Sequence, residues 1–295
     1  MSTLKILIFG GSGFLGQHLI KKLYGQHDIV VVNHISNFSI GNTKNCHIIN
    51  GDILKPQTYE SILDSVDVVI NLVGQMEPNL ENLVKTNISG SLNLLNSIIK
   101  NKVKKIILIS TINVYGENMN FPSKEEDELF PLTNYGQIKM ITEKLYQNFS
   151  ELHDLDVTIL RLSGVFGPGK IKGFFPQMIN SLKTGQILTP YNFGNQLRDF
   201  IFIDDAIDGI ISSLNYDFNG TSIFNISTGK RNSIKEVINL AEKISNTKIN
   251  IKYNSEKYDE ESIWANNSKA KKLLNFEPKI SLEEGIKNTL NFENS

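Results

Sequence analysis

The chain has 295 residues, 40% of them hydrophobic and 21% charged, which is enough apolar material for one large domain or two modest ones. A formal net charge of −1 argues against nucleic acid or an anionic membrane surface as the main partner. Cys46 is the single cysteine, so an internal disulfide and a cysteine metal cluster are excluded, and no apolar run approaches the ~20 residues of a membrane span. With a strand beginning at once and no secretory leader before it, a soluble cytoplasmic protein without a metal site is expected. The basic cluster Lys102-Val103-Lys104-Lys105 reads as a solvated helix end, and the acidic run from Glu125 to Glu128 as an exposed loop.

Ile6 to Phe9 is apolar without a helical period and reads as a buried strand. Gly10, Gly11, Gly13 and Gly16 follow, and then Leu15, Leu19, Ile20 and Leu23 recur at helical spacing. A strand, a glycine turn and a helix form a phosphate site: backbone N–H groups approach a pyrophosphate, and the helix N-terminus adds its partial positive charge. Ile29 to Val32 is a second buried strand ending at Asn33, the place where such a fold meets the adenosine ribose. An acidic residue there repels a 2′-phosphate and selects NAD, whereas Asn33 offers a hydrogen bond without that repulsion. NADP and NAD both stay open, with a lean away from strict NAD.

His47 to Asn50 is a third strand leading into Gly51-Asp52-Ile53, and Val66 to Val73 is a fourth that closes on Gly74. Thr86 to Lys100 is a helix, and Ile106 to Ile109 a fifth strand followed by Ser110-Thr111. A helix follows from Asn134 to about Phe149, and Thr158 to Leu162 is a sixth strand. Strands alternating with helices imply a doubly wound parallel sheet, whose ligands gather at the carboxyl ends of the strands. After Gly164 the alternation loosens into a helix at Phe174–Leu182, a strand at Asp199–Ile203, a helix at Asp204–Leu214, a strand at Ile223–Ile226 and a helix at Ile234–Ile244. Residues 1–163 are expected to form the dinucleotide-binding domain, with return segments near 199–214 and 223–227. Residues 164–295 are expected to supply mainly a smaller, interleaved α/β substrate lobe.

Tyr135 and Lys139 lie four residues apart, on one face of a helix. A free tyrosine has a pKa near ~10 and is a poor base at neutral pH. The Lys139 ammonium, and a cationic nicotinamide ring where one is bound, favour the phenolate. Lowering the pKa by about 3 units requires on the order of 4 kcal/mol. Thr111 ends the adjacent strand and is placed to hydrogen-bond the oxygen that gains or loses the proton. The set reads as a tyrosine acid/base, a threonine polariser and a lysine that tunes the tyrosine.

These pieces resemble the extended short-chain dehydrogenase/reductases, in the NAD-dependent epimerase/dehydratase branch that modifies nucleotide-linked sugars. In order they are Gly10-Gly11-Ser12-Gly13-Phe14-Leu15-Gly16, Gly51-Asp52, Asn71-Leu72-Val73-Gly74, Asn87-Ile88-Ser89-Gly90, Ile109 to Gly116, Tyr135 with Lys139, Leu160-Arg161, Val165 to Gly169, and Arg198 to Asp205. The resemblance implies that Gly10, Gly13, Phe14, Leu15, Gly16, Asn33, Asp52, Ile53, Leu72, Val73, Gly74 and Asn87 line the cofactor together with Tyr135 and Lys139. It implies that Thr111, Tyr135, Ser163, Gly164 and Arg198 meet the substrate, with Arg198 on its diphosphate. It also implies a homodimer over helices 86–100 and 134–149.

Departures from the branch matter. Gly164 stands where many relatives carry a substrate-contacting asparagine, and residues 255–265 lack the arginine and Gly-Asp used around the nucleotide. Ile112-Asn113 after Thr111 replace the Asp-Glu pair of the 4,6-dehydratases, which argues against water loss. No cysteine or histidine falls where the epimerase-reductases that make GDP-fucose need them. Two readings of a Thr/Tyr/Lys site remain: reduction of an NDP-4-keto-6-deoxy sugar by NAD(P)H, which the sequence favours slightly, and a 4-epimerase with tightly bound NAD. A non-catalytic nucleotide-binding subunit is the third, and retention of Tyr135 and Lys139 argues against it.

Overall fold

The computed structural model describes residues 3–34, 45–74, 79–116, 121–255 and 262–294. The first half runs β1 (Lys5–Phe9), α1 (Phe14–Leu23), β2 (Asp28–Asn33), β3 (Cys46–Asn50), β4 (Val68–Asn71), α2 (Leu80–Val84), α3 (Gly90–Lys100), β5 (Lys105–Thr111) and α4 (Asn134–Leu152). It continues with β6 (Asp156–Leu162), β7 (Gly164–Phe166), α5 (Phe174–Thr184), β8 (Leu197–Arg198), β9 (Phe200–Phe202) and α6 (Ile203–Leu214). The chain closes with β10 (Thr221–Ile226), β11 (Asn232–Ser233), α7 (Ile234–Ser245), α8 (Ser268–Leu274) and α9 (Leu282–Asn294).

Seven strands form one sheet in the order β10-β6-β5-β4-β1-β2-β3. Every neighbouring pair in it is parallel. The central strands β1, β2, β4 and β5 are mostly apolar because both faces are covered. Ile6 and Ile8 of β1 join the core beneath α1 and α6, while Leu7 and Phe9 join the opposite core with Leu94, Leu95 and Tyr146 of α3 and α4. Each fully buried side chain of this size is worth about 2 kcal/mol of transfer free energy. The chain adds β2 and β3 on one side of β1 and β4 to β6 on the other, so a crevice opens at the carboxyl ends of β1 and β4.

Three segments differ in detail from the sequence reading. The helix expected to begin at Thr86 begins at Leu80, capped by the Asn79 side chain, and crosses a π-helical turn at Lys85–Ser89 before α3. Asn87 Nδ2 donates to the Leu83 carbonyl at 3.0 Å, a side-chain claim on the helical ladder at the point where the turn widens. The fourth strand ends at Asn71, short of Val73, because the Asn71 side chain accepts the Val73 N–H at 3.0 Å and bends the chain. Phe200–Phe202 is a strand, but it pairs with Gly164–Phe166 in a small ribbon outside the main sheet. Part of the 255–265 departure lies outside the described residues.

Candidate active site

The glycine turn between β1 and α1 is built for close approach. Gly10 has φ +81°, and its carbonyl accepts the Gly13 N–H at 3.1 Å. A Cβ at Gly16 would lie 2.5 Å from the Gly10 carbonyl oxygen, so only glycine lets α1 fold back onto the turn. Gly13, the N-cap, supplies no side-chain cap, and no acidic residue occupies the first turn of α1. The N–H groups of Phe14, Leu15 and Gly16 are therefore left for an anion. This donor set and cradle fit a dinucleotide pyrophosphate. Leu72 and Val73 close the other wall, with the Leu72 carbonyl carbon 3.2 Å from where a Gly10 Cβ would project.

Thr111 ends β5 and caps the short turn Ile112–Val114, its hydroxyl accepting the Asn113 N–H at 3.2 Å. Thr133 caps α4 through Gly136 N–H at 3.1 Å, which places half-buried Tyr135 in the first turn. Asn113 O lies 2.8 Å from the Cβ position of Gly136, so the first turn of α4 rests against the turn that follows Thr111. One turn further, Lys139 is 2% exposed, and its Nζ lies 3.0 Å from the Cβ position of Gly74. Asn87 Oδ1 meets the same point at 2.4 Å and is buried without a hydrogen-bond partner among the described residues. Burial lowers the Lys139 pKa to about 8, opposed by the Glu143 carboxylate one turn on. The ends of β1, β4 and β5 thus bring Gly10, Leu72, Gly74, Asn87, Thr111, Tyr135 and Lys139 around one crevice.

The remaining sequence candidates sit on its flanks. Asn33 is 4% exposed at the end of β2. Asp52 is held by its own loop, its Oδ1 accepting the Leu54 N–H at 2.9 Å. Ile53 is buried, its side chain packed on the Cα of Gly90, and so turned into the core. Ser163 is buried at the end of β6, and exposed Gly164 opens β7. Arg198, half-buried on β8, pairs with Asn232 of β11 and bridges to Ile263.

Behind the crevice lies a buried polar network that the sequence reading did not assign. Arg161, next to last in β6, donates to both Glu143 oxygens at 3.2, 3.2 and 2.7 Å and to the Tyr115 hydroxyl at 3.0 Å. Tyr115 donates in turn to Asn225 Oδ1 at 2.7 Å, and the Ser110 hydroxyl donates to Glu143. Burial pushes the Tyr115 phenol well above its ordinary range. Two signals are present in the sequence: an arginine between two leucines of the sixth strand, and Glu143 continuing the Tyr135/Lys139 stripe by one more turn. Nearby, Asp199 is 1% exposed and accepts Thr228 N–H and Gly229 N–H at 3.0 Å each, with burial raising its pKa to about 6.

Fold and crevice together define a dinucleotide-binding α/β protein with a lysine-backed tyrosine at the mouth. The model of the NAD dependent epimerase/dehydratase family matches residues 6–227, and the chain belongs to that family of nucleotide-sugar enzymes. It is 35% identical over 252 residues to a UDP-glucuronate 4-epimerase of Thermodesulfobacterium geofontis, covering 82% of this chain and 77% of that one. It is 30% identical over 320 residues to a UDP-N-acetyl-alpha-D-glucosaminuronate decarboxylase of Bacillus cytotoxicus, covering 97% and 96%. Among solved structures it resembles the UDP-glucuronic acid 4-epimerase of Bacillus cereus in complex with UDP-glucuronic acid and NAD, at 29% identity and a TM-score of 0.90 over 99% of both chains. Among the described residues, no helix is long and apolar enough to cross a membrane, and no cluster of three metal-ligating side chains occurs.

Proposed function

We propose that this chain is a UDP-sugar 4-epimerase that keeps its NAD through the catalytic cycle. The carrying observation is the bare Thr111, Tyr135 and Lys139 set, with Lys139 buried against Gly74 and no carboxylate behind Thr111. Ile112, the next residue, is buried at 2% exposure, and Asn113 caps back onto the threonine. Such a site has a group to move one proton and none to expel water. The likeness to a UDP-glucuronate 4-epimerase at 35% identity supports the same choice.

Bound NAD would be held by the N–H groups of α1, by Leu72 to Gly74 and by Lys139, with Asn33 and Asp52 toward its adenosine end. It supplies reversible hydride acceptance at the sugar C4 carbon. Tyr135, as phenolate, takes the proton of the C4 hydroxyl, while Thr111 donates a hydrogen bond to the same oxygen. The Lys139 ammonium stabilises the phenolate. After the 4-ketose turns over in the pocket, Tyr135 returns the proton to the new C4 oxygen. Arg198 holds the diphosphate so that the sugar pivots about a fixed anchor, with Ser163 and Gly164 beside the ring.

One-way reduction of a 4-keto-6-deoxy sugar nucleotide, the reading the sequence slightly favours, ranks second. It uses the same three residues, and what speaks for it is the short chain, Asn33 in place of an acidic side chain and the altered 255–265 segment. The homodimer belongs to the same proposal: Leu92 of α3 and Ile141 of α4 are 40% and 47% exposed on the helices it would use.

The test is to denature the purified protein, identify any released nucleotide, and follow UDP-glucose, UDP-N-acetylglucosamine and UDP-glucuronate by NMR. Near-stoichiometric NAD with a C4 epimer is expected. An empty protein that oxidises added NADPH against a 4-keto-6-deoxy sugar nucleotide would replace the epimerase with the reductase.

A further inference from the structure

Lys170 is a half-buried cation with no carboxylate beside it among the described residues. It lies in the loop between β7 and α5, just past Gly167 and Gly169, and it donates to the Val165 carbonyl. Its Nζ stands 5.5 Å from the centroid of the Phe14 ring. No carboxylate of a described residue pairs with it, and burial lowers its pKa to about 8. An ammonium withdrawn from water is costly unless a negative group compensates.

Its seat is built from both sides. His18 Nε2 lies 3.1 Å from the Pro168 carbonyl, which fastens the same loop to α1. The His18 and Phe14 rings meet edge-on at 5.3 Å. Phe14 is the first residue of α1, whose N-terminus carries neither a side-chain cap nor a first-turn acid. The ammonium and the helix end therefore bring positive charge to one small region from two separate parts of the chain.

We propose that Lys170 is a second cationic anchor for the pyrophosphate of the dinucleotide, reaching across the glycine turn from the 167–173 loop. The inference rests on the dinucleotide reading of that turn. It explains why a lysine of this loop is held down on Phe14 instead of extending into water.

The experiment compares wild type, K170M, K170Q and K170R, each freed of nucleotide. Titration calorimetry would follow binding of NAD alone and of UDP alone, at low and high salt. Both neutral variants are expected to lose about tenfold or more in NAD affinity and to show a shallower salt dependence. K170R should stay within about threefold of wild type, and UDP affinity should not change. Thermal midpoints close to wild type would show that the neutral variants fold, what is lost being a half-buried charge and its hydrogen bond to the Val165 carbonyl. Equal NAD affinity in wild type and both neutral variants would overturn the inference while leaving the cofactor reading intact. A loss confined to UDP would also overturn it, by placing the cation on the sugar nucleotide. Failure of wild type to bind NAD would remove the dinucleotide reading and the inference together.

Discussion

Replacing Arg161 by methionine tests whether the buried network is the frame on which the active site is hung. The side chains of Arg161 and Glu143 are 2% and 1% exposed, and the guanidinium gives the carboxylate its three nitrogen contacts. Methionine fills much of the volume but leaves Glu143 with the Ser110 hydroxyl as donor and removes the donor to the Tyr115 oxygen, which keeps its bond to Asn225. Removing one member of a buried pair costs about 3–5 kcal/mol, because the other charge stays buried. At roughly 2 °C per kcal/mol for a chain of this size, the thermal midpoint should fall by ~6–10 °C. The double variant R161M/E143L removes the stranded charge and should recover about 2 kcal/mol or more, leaving the cost of the Ser110 hydroxyl without Glu143 and of the Tyr115 hydroxyl with Asn225 alone. Urea unfolding followed by the fluorescence of Trp264, the only tryptophan, measures both. A loss below ~1 kcal/mol in R161M, or a double variant no better than the single, would refute the frame.

Tyr135→Phe should lower turnover by about 10²–10⁴-fold with NAD content unchanged, and a variant within tenfold of wild type would dismiss Tyr135 as the proton carrier. Asp199 gives a pH signature. Its folded pKa of about 6 lies above the ~4 of an unfolded aspartate, so the folded state binds the proton more tightly and stability falls as pH rises through that window. Relative to D199N, wild type should lose ~2–3 kcal/mol between pH 4 and pH 7 in urea titrations, and a difference that stays flat would contradict the assignment. Ile141→Glu places a charge on the exposed apolar face of α4 and should convert a dimer to a monomer in sedimentation at micromolar concentration; identical sedimentation would remove α4 from the interface.

Much of the fold was legible because a parallel sheet buries both faces of its strands. Ile6–Phe9, Ile29–Val32 and Ile106–Ile109 therefore stand out as unbroken apolar runs, and the glycines after the first mark the crevice without further help. Legibility failed where a side chain competes with the backbone. The helix expected from Thr86 starts at Leu80 and passes through a π turn, where Asn87 claims the Leu83 carbonyl, an effect that propensity along the chain does not contain. The ribbon of β7 and β9 was missed as a separate unit because two three-residue strands far apart in sequence carry no period of their own.

The site divides along the same line. Tyr135 and Lys139 share a helix face, so their spacing alone predicts that they meet. Arg161 and Lys170 are single charges whose surroundings come in part from distant segments, Glu143 for the first and the Phe14 ring for the second. Each is visible in the sequence only as an anomaly: an arginine where β6 should be apolar, and a lysine in a glycine-rich loop that looks solvated. In the first case the structure supplies the missing anion in Glu143, and the anomaly becomes a frame behind the catalytic strand. In the second it supplies none among the described residues, only the open end of α1. A charge that the fold half-buries with no described carboxylate beside it is one that a ligand can complete, and on this chain the ligand that end of α1 is shaped to hold is a pyrophosphate.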